Sequence, residues 1–272
     1  MSAYELAHAY DTVRLHRAGG VAKIELHRPE SMNAWNGQLG LDLRAAIEAT
    51  AADPAVRCVL LTGAGRAFSS GADLKDMQQS ELTPDGRPDV YKALTERYHP
   101  IITGLRAMEK PVVAAVNGPA VGIGLSLALA ADLVVAAESA YFLLAFVNIG
   151  LVPDGGSSVF VPDRIGLARA TELAMLGERL PATRALEWGL INRVWPDADL
   201  AGEADALAAR LAAGPTRSYA GTKRQLNAWM QRGLDDQLEL EATIQREMAG
   251  SSDFVEGVLA FAQKRQPAFG GR

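Results

Sequence analysis

The chain has 272 residues, 49% of them hydrophobic and 22% charged, with a formal net charge of -5. That balance provides for a large buried core in one domain plus a smaller appended one, and Lys and Arg are scattered rather than gathered into the stripe that neutralises a phosphate backbone, so nucleic acid is not an expected partner. Cys58 is the only cysteine, which excludes an intramolecular disulfide; its setting in CVLLTG reads as a buried strand and fits a reducing, cytoplasmic location.

The first twenty residues, MSAYELAHAYDTVRLHRAGG, contain no apolar signal-peptide core. The longest apolar run, residues 121–137, is broken by Gly122, Gly124, Ser126 and Asp132, so no membrane span is expected. Residues 13–15 and 21–26, separated by Ala18, Gly19 and Gly20, read as a hairpin, with VAKIEL alternating apolar and polar faces. Leu39, Leu43, Ala46 and Ile47 recur at helical spacing within residues 36–51, Asp53-Pro54 ends that helix, and residues 56–62 supply a buried strand.

A second round follows. Residues 77–88 form a polar excursion bearing Gly and Pro, expected to be mobile, and a helix is predicted near residues 90–108 before the strand PVVAAV. A glycine-punctuated turn at residues 117–124 leads into an Ala/Leu-rich helix through Ala131, the strand DLVVAA and a short apolar piece at residues 140–146. Beyond Pro196 helical spacing dominates through Phe261, which divides the chain into an α/β core over residues 1–198 and a helical C-terminal domain over residues 199–272. Pro267, Gly270 and Gly271 make the end an extended tail. The four histidines show no HExxH spacing and there is no second cysteine, so no metal site is expected.

Two glycine-bearing loops each follow a strand and precede a helix: SSGADLKDM from Ser69 and NGPAVGIGLSL from Asn117. Unpaired N–H groups at a helix start, aided by the positive end of the dipole, favour a developing oxyanion or a phosphate. Taken singly, each loop is better explained by glycines that permit positive φ and close packing of helix on strand.

Order and combination make the case specific. HRPESMNAWN, TGAGRAFSSGADLKDM, KPVVAAVNGPAVGIG, IGLVPDGGSS and the closing EGVLAFAQKRQPAFGGR closely resemble the successive signatures of the enoyl-CoA hydratase/isomerase, or crotonase, family, from about Val13 to the tail. The resemblance implies an α/β fold of repeated ββα units wound into a superhelix with two roughly perpendicular sheets. It also implies a C-terminal helical domain that assembles homotrimers, often as dimers of trimers. The substrate is then an acyl-CoA thioester, with coenzyme A part of the substrate and no separate cofactor. Matched residue by residue, the backbone N–H groups of Ala72 and Ile123 polarise the thioester carbonyl, and Ser31, Met32, Ala34, Ser70, Gly71, Asp73, Leu74 and Gly122 line the CoA and pantetheine path. Lys264 either reaches a phosphate from the tail or is a solvated lysine, and Met32 and Leu74 are either apolar walls of the cleft or core.

Hydratases of the family use two glutamates, and the matching positions here hold Ser126 and Phe146. Neither relays a proton, so efficient two-glutamate hydration is not expected. Asp154, in LVPDGGSS, matches the acidic residue of enoyl-CoA isomerases and of ring isomerases of phenylacetate degradation. One carboxylate suffices to take a proton from C2 of a 3-enoyl-CoA and return it at C4. The competing reading is that Pro-Asp-Gly-Gly-Ser is a turn in which Asp154 caps a helix. Phe142 and Phe146 are candidates for the acyl pocket and, with Leu144, for an apolar setting that raises the Asp154 pKa if they face it. Asp132 reads as a helix-ending or turn-orienting residue, Asp76 and Glu96 as surface charges, His99 as packed or solvated beside the cleft, and Asn148 as an amide that would sit near the acyl group. The readings left open are a fatty enoyl isomerase, a ring isomerase of the 1,2-epoxyphenylacetyl-CoA type, a hydratase of atypical site, an aspartate-nucleophile dehalogenase whose accompanying pattern is not found, and a non-catalytic acyl-CoA binder.

Overall fold

The computed structural model describes residues 3–77, 81–84 and 86–272. Strands β2 (Val13–Ala18) and β3 (Val21–Leu26) form the expected hairpin, antiparallel and in continuous register. β3 hides Ala22, Ile24 and Leu26, the face its alternation marks as apolar, and buries Val21 as well. Helix α1 (Gly37–Ala52) starts where Asn36 Oδ1 accepts from the Leu39 amide at 2.9 Å, and it buries Leu39, Leu43, Ala46 and Ile47. The chain then returns as β4 (Cys58–Gly63), parallel to β3.

The next turn comprises α2 (Leu74–Met77), α3 (Val90–Ala93), a single π turn (Leu94–Tyr98) and α4 (His99–Ala107), and ends in β5 (Val112–Val116), parallel to β4. Every residue of β5 is buried, as a parallel strand covered on both faces requires, which is why VVAAV shows no alternation. Strand β6 (Ala120–Val121) and helix α5 (Ile123–Leu129) follow, then β7 (Leu133–Ala137), β8 (Tyr141–Leu143), a 3₁₀ turn (Ala145–Ile149), α6 (Ser157–Leu176), β9 (Leu180–Pro181), α7 (Ala182–Trp188) and β10 (Arg193–Trp195).

Among the described residues the strands form a seven-stranded sheet of order β1-β2-β3-β4-β5-β7-β10 and a three-stranded sheet of order β6-β8-β9. Each winding adds one parallel strand to the large sheet while the short strands build the small one, the crotonase-type superhelix. Strand β1 (Glu5–Ala9) pairs with β2 at the sheet edge, and all five of its residues are exposed. Such a strand has no buried face, so hydrophobic patterning does not reveal it.

After Pro196 the chain is helical, as expected: α8 (Leu200–Ala213), α9 (Thr216–Met230), α10 (Leu234–Ala249) and α11 (Ser252–Gln263). Helix α8 packs on β3, β4, β5, β7 and β10, covering the large sheet, whereas α10 packs on α3, α6 and the π turn, and α11 on the 3₁₀ turn. The tail is extended but tied down, with Gly270 N and Gly271 N donating to the Asp253 carboxylate. Leu167 and Met175 on α6, Trp229 on α9 and Phe261 on α11 are all large, apolar and exposed. Of the excursion expected to be mobile, residues 78–80 and 85 lie outside the described residues; Leu82 and Pro88 bridge, and Thr83 N donates to Arg87 O at 2.8 Å. No described helix is long and apolar enough to cross a membrane.

Candidate active site

The two glycine loops meet backbone to backbone. Gly71 has φ +91° and a Cβ placed on it would stand 2.9 Å from Val121 O; Gly122 has φ +53° and its Cβ would lie 4.0 Å from the Gly71 Cα. At Gly71 both the torsion and the approach require glycine, and at Gly122 the torsion does, so the glycines let the two loops pack closely. The join is fixed by Ser69 N donating to Pro119 O, Val121 N to Ser69 O, and Gly122 N to Leu143 O. Trp35 N donates to Gly71 O and Asp73 N to Trp35 O, so the ladder uses the Gly71 carbonyl and the Asp73 amide and leaves the Ala72 N–H outside it. Ile123 opens α5 behind Gly122, which offers no side-chain cap. Among the described residues, neither Ala72 nor Ile123 donates its amide hydrogen to a protein acceptor. Free N–H donors on two loops that meet are what holding an enolate oxygen requires.

The loop HRPESMNA backs this pair. Met32 and Asn33 both take the left-handed conformation (φ 54° and 55°). Asn33, fully buried, donates Nδ2 to Ala64 O and Ala67 O and accepts from the Arg28 amide. Ser70 N donates to Met32 O, Ser70 Oγ to Ser31 O, and Ser69 Oγ to Asn33 O, so the predicted residues Ser31, Met32, Ala34, Ser70 and Gly71 come together in one cradle. Leu74 opens α2 directly after it. Asp73 is paired with Arg28 at 3.1 Å, which gives it a scaffolding contact that the sequence did not indicate. Lys264 lies apart, exposed at the C-terminal end of α11 in a left-handed conformation.

Asp154 lies beside the first turn of α5: a Cβ on its neighbour Gly155 would touch Ile123 Cδ1 at 2.4 Å and Ser126 Cβ at 3.0 Å. Its side chain is not a helix cap. The N-cap of α6 is Gly156, and it is the Asp154 carbonyl, not the carboxylate, that accepts from Ser157 N and Ser157 Oγ. Asp154 is 6% exposed, with Oδ2 accepting from Gln245 Nε2 at 2.9 Å and Oδ1 buried without a hydrogen-bond partner among the described residues. Burial pushes its pKa up to about 8; the Gln245 hydrogen bond opposes the rise and the Glu241 charge adds to it. Tyr98 is another neighbour of that carboxylate: burial first, then the Asp154, Asp76 and Asp73 charges, raise its phenol pKa. Its ring stands edge-on to Trp35 at 4.9 Å.

A sequence model of the enoyl-CoA hydratase/isomerase family matches residues 16–272. The chain belongs to the enoyl-CoA hydratase/isomerase family. It is 42% identical over 264 residues to a probable enoyl-CoA hydratase of Rhodobacter capsulatus, covering 97% of this chain and 100% of that one. It is also 42% identical over 257 residues to the 1,2-epoxyphenylacetyl-CoA isomerase of Escherichia coli, covering 94% and 97%. The crystal structure of an enoyl-CoA hydratase from Mycobacterium avium subsp. paratuberculosis superposes with a TM-score of 0.87 at 39% identity, covering 96% of this chain and 99% of that one.

In this family member the two positions matched to hydratase glutamates are accounted for structurally. Ser126, fully buried, donates Oγ to Asp154 O at 2.7 Å, and Phe146 lays its ring against Gly122, 3.7 Å from where a Cβ would be. Phe142 and Leu144 are closed into the core. Asn148 is exposed and donates Nδ2 to Gly177 O at 2.9 Å, so it supports the end of α6 instead of the acyl group. Asp132 joins a network with Arg106 and Lys223, and Asp76 accepts from the Gly37 amide, so both have structural tasks. Glu96 is exposed. His99 has a buried Nε2 without a hydrogen-bond partner among the described residues; burial lowers its pKa, and the charge that opposes this is Glu239 on α10. Among the described residues no group of three or more His, Cys, Asp or Glu could hold a metal ion. Sequence reasoning missed Trp35, Tyr98, Glu241 and Gln245. The last two leave a trace: Leu234, Leu238, Glu241, Ala242, Gln245 and Ala249 share the buried stripe of α10, and polar residues in such a stripe need internal partners.

Proposed function

We propose that this acyl-CoA enzyme is an enoyl-CoA isomerase in which Asp154 moves one proton between C2 and C4 of the acyl chain. The observation that carries the reading is a buried carboxylate with one unpartnered oxygen, on a loop packed against the first turn of α5, where one of two undonated amides lies, with Ser126 and Phe146 at the positions matched to the hydratase glutamates. The Asp154 anion removes the C2 proton of a 3-enoyl-CoA, and the C2–H electron pair delocalises through the C3=C4 bond and the thioester carbonyl. The resulting dienolate oxygen accepts from Ala72 N–H and Ile123 N–H, donors that bind it more strongly than the neutral carbonyl. Protonated Asp154 then gives the same proton to C4, leaving a 2-enoyl-CoA and the original anion. A carboxyl whose pKa is near 8 is balanced for both transfers at mild pH. The reaction consumes no water and needs no redox or metal cofactor.

Ser31, Met32, Ala34, Ser70, Asp73 and Leu74 would cradle the CoA arm, and Phe146 would bound the acyl end. The exposed apolar side chains of α6, α9 and α11 would be covered in a homotrimer, alone or doubled. A second reading, isomerisation of an aryl-CoA epoxide, is favoured by the 42% identity to the E. coli enzyme of that name and by the Trp35–Tyr98 aromatic pair.

The test is to incubate purified protein with a 3-enoyl-CoA, a 2-enoyl-CoA and a ring-epoxide CoA ester, each separately in deuterated water, following conjugated-thioester absorbance and product mass. Conjugation without gain of water is expected. Rapid hydration of the 2-enoyl-CoA would overturn the isomerase reading, and turnover of only a ring-epoxide CoA ester would select the second.

A further inference from the structure

We propose that Gln245 is a positioning residue for this reaction: it occupies Asp154 Oδ2 and so assigns proton removal and return to Oδ1. The inference rests on Asp154 acting as the base. Gln245 is fully buried on α10, 91 residues from Asp154 in sequence. Its amide orientation is fixed by chemistry, because the Val152 backbone N–H, 3.1 Å from Oε1, can only donate. Nε2 therefore points the other way, to Asp154 Oδ2 at 2.9 Å.

That contact makes the two carboxylate oxygens inequivalent. A proton on Oδ2 would face the Gln245 N–H, two hydrogens competing for one space, whereas a proton on Oδ1 leaves the Gln245 bond intact. The same hydrogen bond thus serves the anion before proton removal and the acid after it, and no rotation of the carboxyl is needed between the two transfers. Among the described residues, Oδ1 is the carboxylate oxygen that is buried with no hydrogen-bond partner.

Glu241 completes the brace one helical turn earlier. Its Oε2 accepts from Gly156 N at 2.8 Å and its Oε1 from Ser158 N at 3.1 Å, filling the start of α6 that glycine leaves uncapped. Helix α10 thereby grips the loop on both sides of Asp154, through Val152 and through Gly156 and Ser158. The charged or titratable groups facing Asp154 are Glu241 from α10 and Tyr98 from the π turn, while α5 presents only the neutral Ser126. Gln245 is the group among these that favours the anion, so its removal raises the pKa of the base.

The experiment compares isomerase activity from pH 6 to 10 for the full chain and for Gln245→Glu, Gln245→Met and Asp154→Asn. Gln245→Glu keeps the shape and the acceptor for Val152, so it remains informative if Gln245→Met does not fold. Both Gln245 variants should lose roughly tenfold to a hundredfold in kcat with KM little changed, and the rising limb of the profile should move up by about one pH unit. A folded Gln245→Glu protein with wild-type kcat and an unmoved midpoint would overturn the positioning role while leaving the base intact. Retained activity in Asp154→Asn would instead remove the base itself.

Discussion

Ser126 Oγ donates to the carbonyl oxygen of Asp154 at 2.7 Å, so the residue matched to a hydratase glutamate holds the loop that carries the candidate base. The Asp154 carbonyl also accepts from Ser157 N and Ser157 Oγ, so Ser126→Ala should not free the loop entirely. About 1 kcal/mol of stability should be lost, with a several-fold fall in kcat and an unchanged KM, read by thermal melting and steady-state kinetics. Ser126→Glu should not install hydration: Ser126 is fully buried and its Cβ is 3.0 Å from where a Cβ on Gly155 would be. The larger side chain should displace Asp154, and isomerisation should fall with no 3-hydroxyacyl product appearing.

The proposed base works as an anion, and its pKa is near 8. The reaction rate should therefore rise with pH up to about 8 and level off above about 9. Asp154→Asn should remove the rising limb and lower kcat by roughly 10²- to 10⁴-fold, while CoA-ester binding measured by calorimetry persists. A profile flat from pH 6 to 9 in the wild-type protein would argue against Asp154 as the base.

Burial also makes Asp154 a liability for stability. Its folded pKa, about 8, lies above the value of 3.8 for a free carboxyl. Between those values the folded state binds more protons than the unfolded one, so stability falls as pH rises from about 4 to 8. Asparagine keeps an acceptor for Gln245 and never ionises. Asp154→Asn should therefore raise Tm, and by more at pH 9 than at pH 5. For a chain of this size a gain of 1 kcal/mol corresponds to about 2–4 °C, and an equal change at both pH values would count against the burial argument.

The path from sequence to this site was uneven for physical reasons. VVAAV declared β5 because a parallel strand covered on both faces must be apolar throughout, whereas ELAHA concealed β1, an edge strand with all residues exposed. The amides of Ala72 and Ile123 were legible only through the glycine loops and the family resemblance, since a backbone donor leaves no side-chain signature. The PDGGS turn invited a helix cap at Asp154, but Gly156 takes the cap position and Glu241, from α10, supplies the acceptor. Glu241 and Gln245 could not be paired with the loop from sequence because the contacts span 85 and 91 residues. Only their presence in the buried stripe of α10 hinted that they answered to something inside.

The torsions at Gly71 and Gly122 predict that the amide pair is more fragile than its composition suggests. At Gly71 an added Cβ meets a backbone oxygen, Val121 O at 2.9 Å, with φ at +91°. Gly71→Ala should shift the Ala72 N–H away from the enolate position and lower kcat by roughly 10²-fold. Gly122 has φ 53° and ψ -125°, a region open essentially to glycine alone, and its substitution should cost about 1–3 kcal/mol of strain. Kinetics and melting should separate the two, since the Gly71 effect is expected mainly in kcat and the Gly122 effect in both.

Asp132 offers the complementary case of a carboxylate with no part in the chemistry. Its Oδ2 accepts from Val112 N at 2.9 Å and Lys223 Nζ at 3.0 Å, and its Oδ1 from Arg106 Nη1 at 3.2 Å. Lys223 on α9 and Arg106 on α4 are both buried, so this one anion compensates two cations at the seam where the helical region meets the core. Removing it leaves both cations in low-dielectric surroundings, where burial already lowers the pKa of each. Asp132→Ala should cost about 3 kcal/mol, with unfolding monitored by denaturant titration, while the molecules that remain folded keep wild-type KM and pH profile. Lys223→Met in the same background should recover part of the loss, because it removes one of the uncompensated charges. A double variant no more stable than Asp132→Ala alone would show that Lys223 is not the cation that Asp132 serves.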